Sequence, residues 1–250
     1  MNRRVPNLAR LLDYVWLAVL LFLIWEGLHY AGSRDVIASP AQTFAAILAL
    51  VRSSQFFFHV SGTATAFAIG ALVALSSGLV AGLALGLVQK AGDVVGPFLY
   101  SIYSIPKIIL FPVVLLIFGV GISANVAFAA LHGFFPIAIF AMNGVRHMPA
   151  GYLKTARVFR LSRLSTVLHV LIPAAMPEIV AGLRIGFSIT LLSTLFGELL
   201  ISARGLGHVL IRAMEDNDTK QILAVTVLIF AFAAVFNALF LMVERRVRRA

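Results

Sequence analysis

Apolar residues run along this chain in long blocks rather than in alternation. Stretches of about 20 residues with almost no charge are long enough to cross a hydrocarbon core as helices. They lie at roughly Tyr14–Tyr30, Ser61–Leu87, Phe98–Phe118, Asn125–Val145, Ala174–Leu200 and Ile222–Val243. The connections between them are short, which leaves no room for a soluble domain. The pattern therefore predicts one all-α domain over residues 1–250, a polytopic bundle of six transmembrane helices. Two stretches depart from it. After the first block, Phe44, Ile47, Leu48 and Val51 recur at i, i+3, i+4, i+7, and Ser39-Pro40 supplies an N-cap followed by proline at the first helical position. That predicts a short amphipathic helix on the membrane surface. Between the fourth and fifth blocks, residues about 150–173 are too charged to span and too regular for coil. Leu161, Leu164, Leu168 and Leu171 repeat at helical spacing, Ser162 is placed to cap a second helix, and Pro173 and Pro177 are placed to end it. A helix pair lying across one membrane face is expected, with Lys154, Arg157, Arg160 and Arg163 as its basic surface.

Composition sharpens this picture. At 61% hydrophobic and 12% charged, the 250 residues carry too little charge for a soluble α/β surface. The formal charge of +10 raises the question of nucleic acid, but its distribution answers it. With the N-terminus in the cytoplasm, only Arg34, Arg52, Arg204, Arg212 and Lys220 fall outside, and Lys107 and Arg184 fall within spans. The remaining Lys and Arg residues lie inside, including Arg3, Arg4, Arg10 and the Arg245–Arg249 cluster. The positive-inside rule accounts for that bias with both termini cytoplasmic and membrane lipid, not nucleic acid, as the neighbour. Arg3, Arg4 and Arg10 ahead of the first block, without a small-x-small cleavage site, read as an uncleaved signal anchor. Cysteine is absent, which removes disulfides and thiolate metal sites.

Several spans carry features beyond hydrophobicity. Gly78, Gly82 and Gly86 form overlapping small-xxx-small repeats in the second, extended by Gly70 and Ala74. Such a stripe lets another backbone approach closely, either inside the chain's own bundle or at a subunit interface. Pro97, Pro106 and Pro112 punctuate the third, and Lys107 follows the middle one. Two readings stand for Lys107, a lysine snorkelling to the cytoplasmic side or a cation facing a polar pathway. The fourth carries Asn125, His132, Pro136 and Asn143, with no second His or carboxylate at ligand spacing and hence no metal expected. In the fifth, Gly186, Thr190, Ser193 and Gly197 share one face, flanked by Thr194, Glu198 and Arg184. An ionisable residue inside a span is costly to bury. This face either lines a pathway, as do the candidates Lys107 and Asn143, or its charges form an internal pair that holds two helices.

No G-x-x-x-x-G-K-[ST] loop, H-E-x-x-H, G-x-S-x-G or paired carboxylates occur, so the chain shows no ATP site or enzyme centre of its own. A secondary carrier or channel working without an ATPase is the rival reading, with Glu198 as its best-placed intramembrane acid and Glu26 near the end of its span. A non-transporting scaffold is the other.

At the basic insert, "KTARVFRLSRLSTVLHVLIP" resembles the cytoplasmic coupling loop of the membrane-spanning permease subunits of binding-protein-dependent ABC importers. That loop has the form E-A-A-x(3)-G-x(9)-I-x-L-P. Ala156, Val170, Ile172 and Pro173 fit it at matching spacing, while Lys154 stands for the Glu, Thr155 for the first Ala and Arg160 for the Gly. "FGVG" ending the third span, "FFP" in the fourth and "GELLISARGLG" closing the fifth resemble the subgroup that imports nitrate, sulfonates, taurine and related solutes. The likeness covers roughly residues 58–246, leaving 1–57 as an anchor span with an external helix.

The resemblance implies a bacterial inner-membrane permease subunit that pairs with a second, identical one. ATP and Mg would belong to separate cytoplasmic ATPase subunits, and an external binding protein would deliver the solute, a small anion. Lys154, Thr155, Ala156, Arg157, Arg160, Leu161, Ser162 and Pro173 would then sit against the ATPase. Lys154 in place of an acid calls for a compensating acid on that partner. Arg160 in place of glycine would be strained at positive φ, which predicts a different turn.

Overall fold

A computed structural model describes residues 7–31 and 37–247, and among them every regular element is helical. The cations Arg3, Arg4, Arg34, Arg248 and Arg249 lie outside the described residues. The order is α1 (Asn7–Ala31), α2 (Pro40–Arg52), α3 (Ser54–Leu87), α4 (Gln89–Ser104), α5 (Phe111–Phe118), α6 (Ile122–Arg146), α7 (Ala150–Val158), α8 (Arg163–Thr166), α9 (Ile172–Ile201), α10 (Leu206–Glu215) and α11 (Thr219–Val247). Four helical runs are long and apolar enough to cross a membrane, and the α4–α5 pair makes a fifth if its bent halves count as one. The chain is a multi-pass membrane protein. It forms two compact units, one of residues up to Phe57 with Val209–Ile229, the other of Phe58–His208 with the segment from Phe230 onward.

In the first unit, the end of α1 holds the segment that leads into α2. Trp25 Nε1 donates to the Ala38 carbonyl at 3.0 Å, and His29 Nδ1 lies 2.6 Å from the Ile37 carbonyl. Ser39 then caps α2 with its hydroxyl on the Gln42 N–H, while the Gln42 side chain returns to the Ser39 N–H. This reciprocal box, with Pro40 at the first helical position, satisfies donors that a helix start leaves open. Asp218 caps the start of α11, its carboxylate accepting from the Gln221 N–H.

The second unit is built around α6. The glycines of α3 lie against it in register: Gly70 beside Ala129, Gly78 beside Ile137, Gly82 beside Ala138 and Ala141, Gly86 beside Val145. On its other side α6 meets α9, where Gly182 faces Phe140, Gly186 faces Ile137 and Gly133 faces Thr190. Such packing needs small residues, because lipid is as apolar as the helices and only close contact favours their association. An aromatic cluster completes the unit: Phe67 and Phe187 lie 4.4 Å apart, and Phe187 stacks on Phe236 of α11 at 5.0 Å.

Two expectations are corrected here. The third block is not one straight span, since α4 and the following helical segment meet at 90°. Pro106 disfavours the helical region for the residue before it, and Ile105 is extended at φ −72°, ψ 138°. Nor do Pro173 and Pro177 end a helix. They lie within one continuous run, Leu164–Ile201, because a π-turn at Val167–Leu171 precedes Pro173 and moves the Ile172 N–H onto the Val167 carbonyl. A wider turn there absorbs the proline that a regular helix would not accept.

Gly82 is the tightest point of the α3 stripe, where an added Cβ would meet the Ala138 carbonyl and lie 2.8 Å from the Ala141 methyl. Gly82→Val should therefore lower the midpoint of thermal unfolding in detergent, by an amount corresponding to about 1–3 kcal/mol of overpacking. Gly27→Val, where among the described residues an added Cβ meets nothing within 4 Å, should leave that midpoint unchanged.

Candidate functional site

The long α8–α9 run carries functional candidates at both ends. At its start stands the basic loop. α7 closes with the Leu161 N–H on the Ala156 carbonyl at 3.0 Å and Arg160 at φ 52°. This six-to-one bond around a left-handed residue is the glycine-type ending of a helix. The altered turn expected from the arginine is thus corrected: Arg160 takes up the conformation that a glycine would adopt, at a steric cost of about 1–2 kcal/mol. Ser162 caps α8, its hydroxyl accepting from the Ser165 N–H at 3.2 Å. Ala156 is buried, whereas Lys154, Arg160, Leu161 and Ser162 are exposed. Thr155 and Arg157 are helical, but their side chains lie outside the described residues, as does that of Arg163. The leucine stripe does not form a covered face. Val158 is 78% exposed, Phe159 72% and Leu164 69%, and only Leu171 of the leucines is buried. The turn is an apolar knob with cations around it.

Deeper in the bundle, the pathway candidates scatter. Thr190, Ser193 and Thr194 are buried, Thr190 beside Gly133 of α6, and Thr190 and Thr194 return their hydroxyl protons to the Gly186 and Thr190 carbonyls at 2.7 and 2.9 Å. At Thr190 a small hydroxyl bonded to its own helix lets α6 approach closely. Arg184 pairs with Glu244 of α11 at 3.4 Å, the internal ion pair that was the alternative for this span. Lys107 is buried at the break that follows α4. Its buried ammonium donates to the Tyr103 carbonyl at 2.8 Å, with the Ile102 and Ile105 carbonyls at 3.5 Å, and lies over the rings of Tyr103 and Phe135. A cation there satisfies carbonyls that the broken helix leaves open, and favours the negative end of its dipole. Asn143 is partly open and accepts from the Tyr100 hydroxyl at 2.9 Å.

At the far end of the run, Glu198 is 1% exposed and its Oε2 accepts from the Thr63 hydroxyl and the Gly207 N–H, each at 2.9 Å. The Thr63 oxygen in turn accepts from the Leu206 N–H at 2.8 Å, and His59 Nδ1 accepts from the Gly205 N–H at 3.2 Å. Three successive backbone donors of the segment after α9 are therefore satisfied by side chains of α3 and α9. The glycines of "GELLISARGLG" make room for this. Gly205 has φ 126°, and a Cβ at Gly207 would lie 2.6 Å from the Leu195 carbonyl.

Sequence reasoning passed over His59, Thr63 and Glu244. The first two stand one helical turn apart at the start of an apolar span, a spacing that signals a shared polar face. Glu244 lies among the C-terminal arginines, where the net charge hid it. Nor does residue spacing announce the Asp93–Arg146 ion pair, which joins α4 to α6.

Long apolar helices packed against one another through glycine define a multi-pass membrane protein. Residues 74–249 match the family described as "Binding-protein-dependent transport system inner membrane component", and the chain belongs to that family. It is similar to the putative aliphatic sulfonates transport permease protein SsuC of Bacillus subtilis, 28% identical over 92% of this chain and 84% of that protein. It is also similar to the taurine transport system permease protein TauC of Escherichia coli, 27% identical over 83% of this chain and 78% of that one. Among solved structures, a chain of the inward-facing MetNI methionine ABC transporter superposes with a TM-score of 0.68 at 20% identity, covering 77% of this chain and 96% of that one. That likeness supports the fold.

The strain at Arg160 makes a direct prediction. Arg160→Gly should raise stability slightly, by up to about 1 kcal/mol once the entropy of the added glycine is set against the relief of strain. Urea titration of the detergent-solubilised protein, read by circular dichroism, measures it. Gly205→Val should act in the opposite direction, since its φ of 126° is closed to a branched side chain.

Proposed function

We propose that the chain forms, with a second copy, the membrane path of an ATP-driven importer, and that the Lys154–Pro173 loop seats in cytoplasmic ATPase subunits that carry the ATP and Mg. The observation that carries this reading is the knob itself. Phe159 and Val158 are exposed at a defined helix ending, with Lys154 and Arg160 beside them. An apolar tip rimmed by charge fits a partner's groove. Family membership supplies the class of partner. In this arrangement Ala156 packs beneath the tip, Leu161 and Ser162 fix its far side, Thr155 and Arg157 complete α7, and Pro173 sets the exit into α9.

In the same reading α1 serves as a sixth span, both termini are cytoplasmic, and the loop between α7 and α8 faces the cytoplasm, as the cation distribution requires. An external binding protein delivers the solute. The names of the similar permeases support a small sulfonate-type anion as cargo. The solute path runs between the two copies, where the partly open Tyr100–Asn143 pair offers hydrogen bonds, rather than through the α6–α9 contact, which is closed.

Charge reversal tests the docking. Lys154→Glu and Arg160→Glu should each reduce recovery of the ATPase with the tagged permease about tenfold, near 1.4 kcal/mol, while thermal unfolding of the permease alone stays unchanged. Undiminished recovery and transport in both variants would overturn the reading. The cargo is tested on the cognate binding protein by calorimetric titration with taurine and short alkanesulfonates. Binding of a neutral solute in preference to all of them would replace the anion assignment.

A further inference from the structure

We propose that Glu198 is a positioning residue for transport: it fastens the far end of the α8–α9 run to the segment Arg204–His208, so that displacement of the basic loop is delivered to that segment. The inference rests on the importer reading above and assigns a route within it.

Two observations meet here. The first is continuity. Leu164–Ile201 is one helical run of 38 residues, about 57 Å long at the usual rise, which starts in the proposed ATPase-docking loop and ends one turn beyond Glu198. A push at its start therefore has a covalent, hydrogen-bonded path to its end. The second is the way the following segment is held. Gly205, Leu206 and Gly207 donate their N–H groups in succession to His59, Thr63 and Glu198. Glu198 is the one member of this set that belongs to the long helix, and its Oε2 takes both the Gly207 N–H and the Thr63 hydroxyl. Moving Glu198 thus moves or releases the segment, and shifts it against α3 at the same time. Because the carboxylate is 1% exposed and Thr63 5%, water does not substitute for either partner in this state. A contact that is fully made or fully broken suits a switch between discrete positions better than a graded one. On the proposed orientation, Arg204–His208 lies on the face where the binding protein arrives.

The test uses the complete transporter, permease with its cognate ATPase and binding protein in lipid nanodiscs. It reads the ratio of ATP hydrolysis with saturating binding protein to hydrolysis without it. Thr63→Val and Glu198→Ala should each lower that ratio about fivefold or more, the lower range of ordinary coupling energies. Thr63→Ser and Glu198→Gln keep an acceptor in place and should restore it. A purely structural role would move complex yield and thermal stability instead, and would leave the ratio of the assembled fraction untouched. The chain has no cysteine, so Ala203→Cys, at an exposed position, carries a single spin label that reports the segment directly. Its mobility should change on adding Mg-ATP and binding protein, and that change should vanish in Thr63→Val. A wild-type response of both readouts that persists in Thr63→Val and Glu198→Ala would overturn this inference alone. Failure of the wild-type permease to assemble with the ATPase would overturn the importer reading, and this inference with it.

Discussion

Close approach of α6 to α3 and α9 is the constraint on which the rest of the structure depends. Water drives apolar faces together in a soluble core, but hydrocarbon does not distinguish a leucine on a neighbouring helix from a lipid tail. Helices in this chain are held by contact at short range, which glycine on one side or the other permits. Gly78, Gly82 and Gly86 bring α3 onto α6, and Gly133, Gly182 and Gly186 bring α6 onto α9. Once these backbones touch, the register of the bundle is set. The polar residues of α9 are then carried to places that their own spacing does not specify.

Those places share a logic. In a medium without water every backbone donor and acceptor must find a partner inside the protein. Lys107 serves the carbonyls exposed by the α4 break, and Glu198 and Thr63 serve the N–H groups that begin α10. Thr190 and Thr194 bond their own helix, and Thr190 so meets Gly133 of α6 with its hydroxyl proton already placed. The most polar span is therefore largely self-satisfied. Arg184 and Glu244 follow the same rule, as a pair whose members would each be costly alone.

The two ends of the α8–α9 run contrast sharply. One is exposed, apolar and strained at Arg160; the other is buried, polar and stitched by hydrogen bonds. Strain persists where surrounding structure over-determines it, and such positions gather at functional contacts. An exposed apolar tip is costly in water until covered. Both features at the basic end suit a surface completed by another protein, while the opposite end is complete within the chain.

Much of this was legible in the sequence for a simple reason: span length, helix caps and the small-residue stripe are local properties. The Ser39 cap, the proline-interrupted third block and the glycine ladder of α3 each follow from residues within a few turns of one another. The resemblance seen at the basic loop rested on spacing in the same way. Other features required distant parts of the chain. Thr63 and Glu198 are 135 residues apart, and no periodicity in either helix announces their hydrogen bond. That Thr190 of α9 meets α6 depended on the room left by Gly133. The sequence by itself determined the helices, their capping and the kind of membrane protein they make, because hydrophobic length and backbone chemistry act locally. Only the tertiary structure decided which polar groups are spent on each other, because that depends on contacts between helices that hydropathy treats as alike.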